Sequence, residues 1–226
     1  MPLSPPAERE PVHTRTVTCR GYRRADGLWD IEGHLVDTKS YAFDNAWRGR
    51  LEPGMPVHEM WVRLTVDDGM QVRAVEVTTD ASPFEVCPAI VPSFQRLVGL
   101  RIASGWTQAV KERLGGVKGC THLVELLGPV ATTAFQTIYP YLSRLAPDRP
   151  AGAGSAPPRR PPLLNTCHAF ASDGPVVKQR WPEFYTGPDA GPADKAPADT
   201  GPVGGDPAGS DRGMSPPPVA ATGTRR

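Results

Sequence analysis

The sequence predicts an α+β domain: an antiparallel sheet of about four strands with helices on one face, followed by a disordered Pro/Gly-rich tail. Three observations carry this expectation. Segments in which apolar and polar residues alternate crowd the stretch from 13 to 81. Apolar spacing of three and four takes over further along, to about residue 139. Gly and Pro number 23 and 27 in 226 residues and concentrate late. From Gly187 onward 16 of 40 residues are one or the other, too many for a packed core.

The same shifts in composition divide the chain. Residues 1–12 are polar and Pro-rich and predict a disordered N-terminus; 13–145 form the α+β domain; 146–162 read as a linker. Residues 163–186 regain apolar and aromatic side chains, so a strand or extended arm that docks on the domain is expected there, with the tail at 187–226.

Within the domain, "TRTVTCRGY" and "GLWDIEGHLVD" read as two strands. In the second, Trp29, Ile31, Gly33 and Leu35 point one way and Asp30, Glu32 and His34 the other, the pattern of a half-solvated sheet. "HEMWVRLTVDDGMQVRAVEVTTD" is a hairpin with Met60, Val62, Leu64 and Val66 on one face and an Asp-Gly turn at 68 and 69. Ser82, Pro83 and Glu85 fit an N-cap, a first-turn proline and a capping-box acid, which predicts a helical turn carrying Cys87. Pro88 and Pro92 keep that helix short or broken. Trp106, Ala109, Val110 and Leu114 mark a short amphipathic helix with a double-glycine stop. From Cys120 onward, Leu123, Leu126, Leu127, Val130, Ala131, Ala134 and Ile138 predict a helix to about Tyr139, kinked at Pro129.

Charge and cysteine usage exclude several functions. With 25 basic and 24 acidic residues, a net charge of +1 and no run of one sign, there is no electrostatic footprint for nucleic acid or an anionic membrane surface. No apolar run approaches a membrane span and the N-terminus lacks a signal-peptide core, so a cytoplasmic protein is expected; a protein partner is left open. Cys19, Cys87, Cys120 and Cys167 are too few and too scattered for a disulfide scaffold and should be free thiols or metal ligands.

The chemistry concentrates in "GGVKGCTHLVELL", residues 115–127. Cys120 follows a glycine loop and opens a helix, where unpaired N–H groups and the positive dipole end favour a thiolate, with Lys118 adding to the effect. His122 and Glu125 are three apart and share a helix face, so the acid could orient the imidazole. The alternative is a small buried thiol beside a surface His–Glu pair. Cys87 repeats the helix-start arrangement. Thiolate and imidazole donors suit zinc or iron, with His58, Cys87, Cys120 and His122 as candidate ligands and Cys167 in "CH" as a further donor. Their spacing matches no compact zinc-finger signature. Cys19, alternating with Val17, is a core position, and His34 and Asp37 with Asp30 and Glu32 read as a second polar cluster on the sheet, for which a solvated face is the plain explanation.

Two resemblances follow from longer stretches. "GLWDIEGHLVDTKSY", "GW" at 105, "GGVKGCTHLVELL", "ATTAFQT", "CHAF" and "WPEFY" resemble a bacterial family of domains of unknown function, which implies membership but no activity. The order of hairpin, Cys87 helix, Trp106 helix and a Lys-x-Cys opening a long helix, over about 56 to 138, is similar to the core of U-type iron–sulfur cluster assembly scaffolds. That likeness implies an iron–sulfur-scaffold-like fold, with Cys87 and Cys120 at the scaffold's second and third cysteines and His58 near a ligand-capable aspartate. The first cysteine falls at Pro56 or Val57, and the histidine before the third is Gly119 here, with His122 two residues after Cys120. The sequence therefore predicts a metal-binding or sulfur-handling module using Cys/His ligands for zinc or iron. The alternatives are an enzyme with Cys120 as nucleophile, His122 or His58 as base and Glu125 as orienting acid, and a structural domain with inert thiols.

Overall fold

The computed structural model describes residues 3–145, 160–161 and 163–190. The expected linker at 146–159 and 162 and the expected tail from 191 onward lie outside the described residues. The chain forms two units, 1–149 and 150–226.

The first unit is built on a four-stranded antiparallel sheet in the order β1-β2-β5-β6. β1 is His13–Arg23, β2 Trp29–Lys39, β5 Pro56–Val66 and β6 Val72–Ala81, and a two-stranded ribbon of β3 (Phe43–Asn45) and β4 (Gly49–Leu51) lies between β2 and β5 in sequence. Register follows the alternation read from the sequence. Val17, Leu35, Met60 and Thr79 lie in one row, and Cys19, Gly33, Val62 and Val77 in the next. Between β5 and β6 the turn falls at the Asp-Gly pair, but the left-handed residue is Met70, with φ of 66°, and Asp67 Oδ1 accepts the Gln71 N–H at 3.0 Å.

Helical segments cover the apolar face. A 3₁₀ segment, Cys87–Leu97, packs Phe94 and Leu97 into the core, α1 spans Trp106–Leu114, and α2 spans Thr121–Leu145. The capping box expected at Ser82 does not form: its hydroxyl donates to the Phe84 carbonyl at 3.1 Å, and Cys87 opens a 3₁₀ segment instead of sitting inside an α-turn. Pro88 and Pro92 supply the reason, since neither can donate the bond an α-helix needs there. α2 runs six residues beyond Tyr139 and contains Pro129 and Pro140.

Two glycines let α2 lie close on the sheet. A Cβ on Gly33 would stand 2.5 Å from Val130 Cγ2 and 3.1 Å from Leu126, and one on Gly21 only 1.9 Å from Thr137 Oγ1. Gly33 faces the helix because it shares the inward row of Trp29, Ile31 and Leu35. The close approach carries the first turn of α2, and with it His122, over the end of β5.

In the second unit the described residues are helical, not the strand or extended arm expected: His168–Phe170 and Pro182–Phe184 are 3₁₀ turns and α3 is Pro175–Arg180. The unit is held locally, with Phe170 and Trp181 rings 5.4 Å apart and Asp189 accepting from Tyr185 at 2.7 Å and pairing with Lys178.

Filling the Gly33 gap tests the helix docking. Gly33→Ala should cost about 1–3 kcal/mol in denaturant unfolding, as overpacking a well-fitted contact does. A cost below about 0.5 kcal/mol, typical of a surface change, would place α2 elsewhere.

Candidate functional site

The inward row of the sheet continues past the apolar core into polar residues. On β1 the row runs Gly21, Cys19, Val17, Arg15; on β2, Ile31, Gly33, Leu35, Asp37; on β5, Leu64, Val62, Met60, His58. The register pairs Arg15 with Asp37 and Asp37 with His58, so three adjacent strands set three polar side chains side by side at the end of the core.

Asp37 is the centre of this group, 1% exposed. Arg15 Nε donates to Asp37 Oδ1 and Nη2 to Oδ2, each at 2.8 Å, the bidentate fork that best compensates a buried carboxylate. His13 Nε2 lies 3.2 Å from Oδ1 and His58 Nδ1 3.0 Å from Oδ2. Both oxygens thus have two partners, the full acceptor capacity of a carboxylate. Burial on its own would raise the Asp37 pKa, but the Arg15 hydrogen bonds and charge, with His58 and His13, hold it below the usual range. An ionised carboxylate only accepts, so His58 must carry its proton on Nδ1 and leave Nε2 bare.

α2 brings the remaining groups. Its first turn places His122 against His58, ring centroids 3.8 Å apart at 32°, and Cys120 Sγ lies 3.9 Å from His122 Nδ1. Cys120 caps the helix, its carbonyl accepting the Val124 N–H at 2.9 Å. Burial lowers the pKa of both imidazoles. His122 and Arg15 depress His58 further against the opposing pull of Asp37, while Arg15 depresses His122 against Asp37 and Glu125. Both rings are therefore neutral at pH 7. Among the described residues, Asp37, His58 and His122 form a group of ligand atoms within 4.8 Å of one another that could hold a metal ion.

Of the residues singled out from the sequence, the fold brings His58 and His122 into one ligand group; Cys120 touches His122 at 3.9 Å but does not belong to that group. Cys87 joins no such group among the described residues; it is half-buried at the start of the 3₁₀ segment that packs on β6. Cys167 is exposed in the second unit. Glu125 shows no hydrogen bond to His122 among the described residues: its carboxylate accepts from Nη1 of Arg15 at 2.8 Å, the guanidinium that also holds Asp37. Cys19 is half-buried against the core as expected.

The sequence reading missed Asp37, Arg15 and His13 as members of the site. Asp37 was grouped with Asp30, Glu32 and His34, but the register sets those on the opposite face of the sheet. The signal was parity: Asp37 is the next odd residue after Trp29, Ile31, Gly33 and Leu35, and Arg15 precedes Val17 and Cys19 by the same step.

Residues 13–136 match the family described as Protein of unknown function (DUF2889), a span that contains Arg15, Asp37, His58, Cys120, His122 and Glu125 but not Cys167. No curated protein and no solved structure matches the chain. No helix among the described residues is long and apolar enough to cross a membrane.

Two outcomes test this geometry in the metal-free protein. Asp37→Asn should cost about 1.5–3 kcal/mol, because it removes the charge from a buried carboxylate that accepts four hydrogen bonds while Arg15 keeps Glu125; a cost near that of a surface site would mean the carboxylate is solvated. The histidines set an acid limit on stability. Their folded pKa values lie below the ordinary value of about 6.5, so the unfolded chain binds more protons below that pH. Stability should be full above pH ~6.5 and fall as pH drops beneath it, with Asp37 adding a second loss below its ordinary pKa of about 3.9. The double variant His58→Gln, His122→Gln should flatten the first slope, and an unchanged slope would contradict the assignment.

Proposed function

We propose that this chain, which belongs to the DUF2889 family, is a metal-binding module that holds zinc or ferrous iron on His58 and His122, with Cys120 as third donor and Asp37 as the carboxylate that orients His58. The observation that carries the reading is the convergence of Asp37, His58 and His122 from two strands and a helix. Metal-ligating histidines commonly donate their second ring nitrogen to a carboxylate, which fixes the tautomer and turns the bare nitrogen outward. The Asp37–His58 bond has that form. Because Asp37 already accepts four hydrogen bonds, it fits the orienting role better than that of a direct ligand.

Charge and donor type agree. Asp37 and Glu125 contribute two negative charges and Arg15 one positive, leaving the site at −1 with His58 and His122 neutral, and a Cys120 thiolate would bring it to −2, matching a divalent cation. Two imidazoles and a thiolate are a donor set for zinc or iron, and three protein donors leave one coordination position free for water or a substrate atom. A reducing cytoplasmic setting would keep the thiol available; all four cysteines are free. The likeness to iron–sulfur scaffolds adds little to this reading, since neither cysteine it aligns, Cys87 or Cys120, belongs to the group, and Cys120 adjoins it only through His122.

A second reading rests on the 3.9 Å contact between Cys120 Sγ and His122 Nδ1: a nucleophilic thiol with its base, and no metal. The two readings separate on stoichiometry and on alkylation. Protein purified anaerobically should contain about one zinc or iron per chain under the metal reading. His58→Gln and His122→Gln should each abolish it, Cys120→Ser should lower the affinity tenfold or more, and Cys87→Ser and Cys167→Ser should leave it unchanged. Chelation should then expose Cys120 to iodoacetamide. Protein that never acquires zinc or iron, and whose Cys120 alkylates rapidly in a His122-dependent way, would replace the metal site with the thiol enzyme.

A further inference from the structure

The sheet face turned away from α2 carries a second constellation, independent of the site at Asp37. Alternation puts Glu32 and His34 of β2, Glu59, Trp61 and Arg63 of β5, and Glu76, Thr78 and Asp80 of β6 on that face. The His34 imidazole lies flat on the Trp61 indole, centroids 3.7 Å apart at 10°, and is held there by Nε2 donating to Glu59 Oε1 at 3.2 Å. Beside the indole is a groove of about 470 Å³ lined by Glu32, Trp61, Arg63, Glu76, Thr78 and Asp80. His34 covers one indole face and does not line the groove, so Trp61 meets the groove with its remaining surface. Thr78, directly opposite Trp61 across the strands, is small enough to leave the space open.

The charges around that space do not balance. Arg63 pairs with Glu32 at 2.8 Å and Glu76 at 2.6 Å, and Asp80 has no ion-pair partner among the described residues. Three carboxylates line the space against one guanidinium, and Arg20, opposite Glu32 in the β1–β2 register, offsets one more, which leaves one negative charge in excess, at Asp80, beside an immobilised indole. A metal dication is the wrong occupant: no metal-holding group among the described residues includes these carboxylates, and an indole offers a hydrated ion nothing. An organic cation uses both features, because its charge interacts with the indole face as well as with the acids and its alkyl part fills apolar surface. The volume falls within the range of small-molecule sites.

We propose that this groove binds a small alkylammonium compound, its ammonium group over Trp61 and between Asp80 and Glu76. Trp61 supplies the aromatic wall, His34 and Glu59 fix that wall in place, and Arg63 holds Glu76 toward the groove.

The test uses the full chain with n-butylammonium as probe, n-butanol as the uncharged control, and the indole N–H resonance of Trp61 as readout, assigned by its loss in Trp61→Phe. Saturable shifts at millimolar n-butylammonium and none with n-butanol are expected. Asp80→Asn, a change at the sheet edge that leaves the core untouched, should weaken binding about tenfold. His58→Gln, on the other face, should leave it unaltered. Equal shifts with the alcohol, no saturable shift with the amine, or an Asp80→Asn protein that binds as tightly as the parent would each overturn the proposal.

Discussion

A carboxylate buried at the end of an apolar core organises this molecule. Asp37 is 1% exposed and ionised, a state whose desolvation cost must be met by hydrogen bonds and opposite charge. Arg15 meets most of it through a two-bond fork, and His13 and His58 complete the acceptor shell. Each partner is fixed by register: the β1–β2 pairing places Arg15 opposite Asp37, and the β2–β5 pairing places His58 there. A slip of one residue on any strand would send the side chain to the other face and leave a bare buried charge, so the polar group polices the alignment of the sheet.

The helix is subordinate to the same constraint. α2 lies close because Gly21 and Gly33 leave room for Thr137 and Val130, and its first turn then reaches the polar end of the sheet. Arg15 joins the two layers, with one edge of its guanidinium on Asp37 and Nη1 on Glu125 of the helix. His122 is thereby held against His58 and Cys120 against His122. Neither imidazole has a carboxylate strong enough to offset burial, so both stay neutral near pH 7 and keep a lone pair for a ligand.

Much of this was legible in the sequence. Period-two alternation in β2 and β5 and the Asp-Gly turn specified the sheet, and the three-four spacing from Leu123 to Ile138 specified α2, because each reports which side of a local element is dry. His58, Cys120 and His122 were legible as chemistry-bearing residues. What a single sequence does not carry is which strands lie side by side. Asp37 looked like a neighbour of Asp30 and Glu32 on a wet surface until the pairing with Arg15 and His58 put it on the dry one. Cys87 looked equivalent to Cys120, but the prolines that follow it make a 3₁₀ segment packed on β6, outside the group at His58. The arm at 163–186 regained apolar residues, yet Gly174 and Pro175 start a short helix there rather than a strand.

Asp37 locks His58 in one tautomer and leaves its outer nitrogen free, and ring-nitrogen chemical shifts read this directly. Long-range ¹H–¹⁵N correlation of the metal-free protein at pH 7 should show His58 neutral, protonated at Nδ1 and bare at Nε2, and added zinc should move the Nε2 resonance while leaving Nδ1 protonated. A His58 that carries its proton on Nε2, or that is an imidazolium at pH 7, would contradict the account.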